Sequence, residues 1–119
     1  MLTTEKGRVK VNVRIQPIMY RRLHILCRNR SISMAELLRE LVSKFIQDIE
    51  SNNQRKIQEV LAHIDVKQRR RNMTKTISFY LDDDKYEKLT KIKELFEENL
   101  GTELTMSDIL RAILEVYTS

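Results

Sequence analysis

The sequence predicts a mainly α-helical fold with a short two-stranded antiparallel β-ribbon, and three observations carry that expectation. Residues 8–15 (Arg8-Val9-Lys10-Val11-Asn12-Val13-Arg14-Ile15) alternate strictly between polar and apolar. A half-buried strand reads this way because successive side chains point to opposite faces. A second alternating stretch, Thr76-Ile77-Ser78-Phe79-Tyr80-Leu81, lies far downstream and is the candidate partner strand. Elsewhere apolar residues recur every three to four positions, with only two glycines and one proline in 119 residues, which leaves helices as the dominant element.

Residues 1–7 read as a flexible arm ending at Gly7, and the first strand covers about 8–15. Gln16-Pro17 opens a helix, because proline at the first helical position loses no hydrogen bond. Met19, Leu23, Leu26 and Cys27 share one face of it, Arg21, Arg22, Arg28 and Arg30 lie on or near the outside, and it should end around 28–30. After Ser31-Ile32, Ser33-Met34-Ala35-Glu36 has the spacing of a capping box, in which cap and acid each satisfy a free backbone N–H. The helix that follows carries Leu37, Leu38, Leu41, Val42, Phe45, Ile46 and Ile49, a stripe wide enough for a core helix.

Polar Ser51-Asn52-Asn53-Gln54 interrupts that stripe, and Ile57, Val60, Leu61 and Ile64 then form another seam. A third helix over about 54–66 and one long helix bent near Asn52-Asn53 both fit. Lys67 to Arg71 form a basic linker before the second strand, at 75–81. Asp82-Asp83-Asp84 suit the positive end of a new helix, whose apolar face is Leu89, Ile92, Phe96 and Leu100 and which should end near Gly101. Thr105-Met106-Ser107-Asp108 repeats the cap, ahead of a last helix bearing Ile109, Leu110, Ile113, Leu114 and Tyr117.

The two halves superpose as sequence. Val13-Arg14-Ile15 aligns with Phe79-Tyr80-Leu81, Tyr20 with Tyr86, and Leu23 with Leu89. Allowing six extra residues in the second inter-helix link, Ser33-Met34 aligns with Thr105-Met106 and Leu38-Arg39 with Leu110-Arg111. The expected organisation is a first strand–helix–helix motif at 8–50, a linker helix and basic linker at 51–74, and a second motif at 75–119.

The net charge of +5 is unevenly spread. Residues 1–74 hold 16 Lys+Arg against 7 Asp+Glu, a balance of +9, and residues 75–119 hold 6 against 10, a balance of −4. One basic surface and a polyanionic partner are the expectation; a solvated basic face is the plainer alternative. The N-terminus lacks a signal peptide's hydrophobic region and no apolar run is long enough for a bilayer. A lone cysteine, Cys27, makes no internal disulfide, so a reducing, cytoplasmic setting without membrane is expected.

With these residues in view, each half resembles the ribbon-helix-helix family of DNA-binding regulators, the MetJ/Arc superfamily. The first copy is carried by Val9–Ile15, Tyr20, Leu23 and Ile32-Ser33-Met34-Ala35-Glu36-Leu37-Leu38-Arg39-Glu40-Leu41. The second is carried by Ile77–Leu81, Tyr86-Glu87-Lys88-Leu89 and Leu104-Thr105-Met106-Ser107-Asp108-Ile109-Leu110-Arg111. The inter-helix turn of the first copy lacks the glycine usual in that family. The resemblance implies a ribbon built from two such motifs, which enters the DNA major groove. A tandem copy then implies a single-chain pseudodimer, with the helix near 54–66 returning the chain for the second strand. An isolated strand would leave its ladder groups unpaired, and half the chain buries little core alone.

On that reading the partner is double-stranded operator or promoter DNA. Base contacts fall to the outward residues Lys10, Asn12 and Arg14 and, at the equivalent positions, Thr76, Ser78 and Tyr80. Lysine or arginine pairs with guanine O6 and N7, and asparagine with adenine N6 and N7. Because Thr76, Ser78 and Tyr80 are uncharged, half-sites that are not a perfect palindrome are expected. Phosphate contacts fall to the helix starts at Ser33, Met34, Thr105 and Met106 and to Lys6, Arg8, Arg69, Arg70 and Arg71. Tyr20 and Tyr86 read as packing residues.

No catalytic constellation is visible. His24 and His63 are far apart, and one cysteine with two histidines has no metal-ligand spacing. No glycine-rich phosphate loop exists, so neither an enzyme, a metal nor a cofactor is expected. A transcription regulator, foremost a repressor, leads. An antitoxin-type regulator and a protein-interaction module on the same fold are the alternatives; a chain stopping at Ser119 leaves the antitoxin without the usual C-terminal tail. Further self-association on DNA is left open, with Tyr117 and the Ile57–Ile64 seam able to pack internally or against another copy.

Overall fold

Two eight-residue strands from opposite halves of the chain pair at the centre of the molecule. The computed structural model describes residues 4–5, 7–65 and 72–119. In chain order they form β1 (Thr4–Glu5), β2 (Arg8–Ile15), α1 (Pro17–Arg30), α2 (Met34–Glu50), α3 (Gln54–His63), β3 (Lys75–Asp82), α4 (Asp83–Leu100) and α5 (Met106–Tyr117). The fold is mainly helical around an antiparallel sheet.

Strand pairing follows the side-chain pattern. Val9, Val11, Val13 and Ile15 of β2 and Ile77, Phe79 and Leu81 of β3 are buried, so one face of the ribbon is apolar and covered by helices. The register runs from Arg8 opposite Asp82 to Ile15 opposite Lys75, with Asn12 opposite Ser78 at its centre. Asn12 thus faces the residue that the sequence alignment of the two halves sets against it. A slip of one residue would turn every valine of β2 to water.

The expected flexible arm needs correction. Thr4 and Glu5 pair antiparallel with Val9 and Arg8, giving the sheet order β1-β2-β3. The chain reverses at Gly7, whose φ of +77° carries no Cβ penalty. The Gly7 carbonyl accepts the Asp83 N–H at 3.0 Å, tying the reversal to the start of α4. The physical reason is the exposed edge of β2, whose ladder groups seek partners.

Helix α1 begins at Pro17 and buries Met19, Leu23 and Cys27. It stops at Ser31, whose φ of +55° is the left-handed conformation that glycine usually supplies. The Ser31 N–H donates to the Arg28 carbonyl at 3.3 Å and the Ile32 N–H to the Cys27 carbonyl at 3.1 Å. Helix α2 starts as expected: the Ser33 hydroxyl accepts the Glu36 N–H at 3.1 Å. The return bond of a capping box is absent here, because Glu36 stays in water.

Residues 34–63 form two helices. Asn52 adopts φ +55°, and the Asn53 side chain caps α3 by accepting the Lys56 N–H at 3.4 Å. The helix ends at His63 rather than at 66, where Ile64 turns extended. Val60 is fully buried, and Ile57, Leu61 and Ile64 lie against the core, so this seam packs internally. Tyr117 does too. Its hydroxyl donates to the Asp48 carboxylate, and burial beside that acid pushes its own pKa up.

Along α4, Leu89, Ile92 and Phe96 are buried, but Leu100, expected on the same face, is 40% exposed. It is the last helical residue, and Gly101 at φ +68° turns the chain away before Leu100 reaches the core. Glu97 closes the link to α5, accepting the Leu104 N–H at 2.8 Å and pairing with Lys93 at 3.4 Å. The full capping box forms at α5: the Thr105 hydroxyl accepts the Asp108 N–H and Asp108 accepts the Thr105 N–H.

Both halves build one core. Phe45 meets Phe96 and Tyr117 edge-on, at 6.2 and 6.3 Å between centroids, beside fully buried Leu23, Leu81, Leu89, Ile109 and Ile113. Among the described residues, no helix is long and apolar enough to cross a membrane.

Candidate nucleic-acid interface

The face of the ribbon turned away from this core carries four cross-strand pairs. They are Arg8 with Asp82, Lys10 with Tyr80, Asn12 with Ser78, and Arg14 with Thr76. All are exposed except Tyr80, which is half-buried. Alternate residues of a strand stand roughly 7 Å apart, so the face is a grid of polar groups. The β2 row is cationic, and the β3 row is uncharged but for Asp82.

Contacts within the grid differentiate its members. Ser78 donates to Asn12 Oδ1 at 2.5 Å, which holds the amide at the ribbon centre and leaves its NH₂ and one oxygen lone pair to a ligand. The Arg8 guanidinium lies over the Tyr80 ring, 5.6 Å from its centroid, at cation–π range. Arg14 donates to the Met73 carbonyl at 2.8 Å, which draws its guanidinium toward the entry to β3 while other N–H donors stay unspent. The Lys10 ammonium makes no ion pair or hydrogen bond among the described residues and stands exposed.

Both capped helices pack against the ribbon. Helix α5 packs on β2 and α2 on β3, and Ser107 donates to the Asn12 carbonyl at 3.3 Å, seating the start of α5 beside the ribbon centre. Ser33 and Thr105 are exposed, and Met34 and Met106 half-buried. The first N–H groups of each helix, ahead of those that Ser33 and Thr105 cap, are the donors a helix start offers to an anion. Tyr20 and Tyr86 pack against the core, in keeping with their expected role. Lys6, Arg69, Arg70 and Arg71 lie outside the described residues.

Sequence reasoning missed two contributors. Asp82 stands at the N-cap position of α4, in keeping with the helix start expected there, and it also ends β3 on the outer face, opposite Arg8; the strand alternation carried one position further would have found this second place. Arg111 is 8% exposed and links the start of α5 to the ribbon. It donates to Asp108 at 2.6 Å and to the Arg14 carbonyl at 3.0 Å. Its alignment with Arg39 was the available signal. Among the described residues, no group of three or more His, Cys, Asp and Glu could hold a metal ion.

No protein-family model, curated protein or solved structure matches the chain.

Proposed function

We propose that this chain is a tandem ribbon-helix-helix protein, a single-chain pseudodimer, and that it acts as a sequence-specific double-stranded DNA-binding transcription regulator, foremost a repressor. The observation that carries the reading is the ribbon register. Asn12 stands opposite Ser78, its own counterpart in the repeat, so the two motifs meet about a local dyad, as two separate chains would. The major groove admits such a ribbon.

In this reading Lys10 and Arg14 donate to guanine and Asn12 pairs with adenine, while Thr76, Ser78 and Tyr80 offer hydroxyls and a ring to the other half-site. The backbone N–H groups at Met34 and Met106 clamp phosphates on either side, supported by the Ser33 and Thr105 caps. Arg8, with Lys6 and Arg69 to Arg71, adds salt-dependent attraction that is blind to sequence. Because the two strands differ, the half-sites differ. A repressor of this kind acts by covering promoter DNA.

Selection of bound duplexes from a random pool tests it, run beside a Lys10→Ala/Asn12→Ala/Arg14→Ala variant. The expected result is one enriched, imperfectly palindromic motif that the variant no longer selects. Equal retention of all sequences by both proteins, or no retention at low salt, would overturn the proposal.

A further inference from the structure

Among the described residues the large apolar side chains left exposed are Ile18, Ile25, Leu95 and Leu100. They lie on α1 and α4 alone. Ile18 is 70% and Leu95 61% exposed, more than scattered surface residues need to be. On α1, Ile18, Arg21, Ile25 and Arg28 recur at helical spacing on the side opposite buried Met19, Leu23 and Cys27. Ile18 and Ile25 line a shallow groove with Arg21, Arg22 and Leu26. On α4, Glu87, Lys91, Glu94 and Glu98 form the outward stripe, and Leu95 stands at its margin.

The charges of these faces are opposite. Helix α1 contains Arg21, Arg22, Arg28 and Arg30 and no acid. The outer stripe of α4 has three glutamates against Lys91, which is itself paired with Glu87 at 3.7 Å. Arg21, Arg28, Glu94 and Glu98 are in no ion pair among the described residues. Each face thus offers one or two apolar side chains beside unpaired charge, of opposite sign on the two helices.

Placement completes the argument. Helix α1 leaves β2 at the Ile15 end of the ribbon and α4 leaves β3 at the Asp82 end. In an antiparallel ribbon these ends are opposite, so one molecule presents the basic face at one end and the acidic face at the other. We infer that the α1 face docks on the α4 face of a second copy of this chain, head to tail. The contact is heterologous, so repetition adds further copies rather than closing a two-fold dimer. Two exposed helix faces make a small interface, which is weak in solution and strengthened wherever copies are held side by side.

The test needs no DNA, so its outcome is separate from that of the DNA-binding proposal. Sedimentation velocity of the full chain at low salt, from about 10 μM to about 1 mM, covers the range in which small interfaces associate. The average mass should rise with concentration and fall back with added salt. Arg21→Glu/Arg28→Glu and Glu94→Lys/Glu98→Lys should each weaken association at least ~10-fold, because like charges then face each other. All four positions are exposed, and an unchanged circular dichroism spectrum controls for folding. Mixing the two variants should restore association, since each retains the face that the other lacks. Wild-type protein that stays monomeric throughout would overturn the inference, as would variants that associate like wild type or a mixture without rescue.

Discussion

Replacing Arg111 with methionine should destabilise the protein by about 4 kcal/mol, within the ~3–5 kcal/mol typical for removing one partner of a buried charge pair. The guanidinium is 8% exposed and its partner Asp108 2% exposed. Arg111 reaches Asp108 at 2.6 Å and the Arg14 carbonyl at 3.0 Å. Asp108 also accepts the Thr105 N–H at 2.8 Å. Methionine fills much of the volume but donates nothing. The Asp108 carboxylate then loses this counter-ion, and the Arg14 carbonyl loses a donor worth ~1 kcal/mol. A loss of this size is a large fraction of the ~5–15 kcal/mol that holds a small domain together. Asp108→Leu/Arg111→Met removes both charges at once and sacrifices the cap bond, worth ~1 kcal/mol. It should therefore be about 2 kcal/mol more stable than Arg111→Met alone. Urea unfolding followed by far-ultraviolet circular dichroism measures both differences at constant slope. An Arg111→Met protein within ~1 kcal/mol of the parent, or a double variant less stable than the single one, would refute the idea of a coupled buried pair.

Three other outcomes are expected. Ser31→Gly should stabilise by roughly 0.5 kcal/mol, relief of a left-handed serine set against greater freedom of the unfolded chain; thermal melts read the sign. The Leu104 N–H and the Lys93 ammonium hold the Glu97 carboxyl below its usual pKa. Its contribution to stability is therefore present above the ordinary carboxylate value and lost as pH falls through the depressed one. Glu97→Gln should flatten that acid limb, while NMR titration of the parent should find Glu97 titrating below the ordinary carboxylate value. On the DNA side, Arg8→Ala should lower affinity about equally for all sequences and reduce the salt slope by ~1, whereas Lys10→Ala should relax preference at one base position by ~1–3 kcal/mol, both read by titration of labelled duplexes at several salt concentrations.

Much of the fold was legible in the sequence because its signals are local. Alternation placed β2 and β3 to within a residue, since period two has no other physical source in a half-buried segment. The caps at Ser33 and Thr105 were legible because an N-cap and the N–H it satisfies lie three residues apart. Pro17 and Gly101 marked helix ends by the backbone angles they favour. The outward row of Lys10, Asn12 and Arg14 followed from strand phase alone.

Tertiary structure decided whatever depends on partners distant in the chain. The register that sets Asn12 against Ser78, the folding of Thr4–Glu5 onto the edge of β2, and the turn of Arg14 toward Met73 are contacts no window of sequence contains. Leu100 and Arg111 make the point as a pair. By composition the leucine belongs inside and the arginine in water, yet Leu100 is exposed and Arg111 buried. A helix end that turns away at Gly101 strands the leucine, and a carboxylate and a carbonyl waiting at the right distance offset the cost of burying the charge.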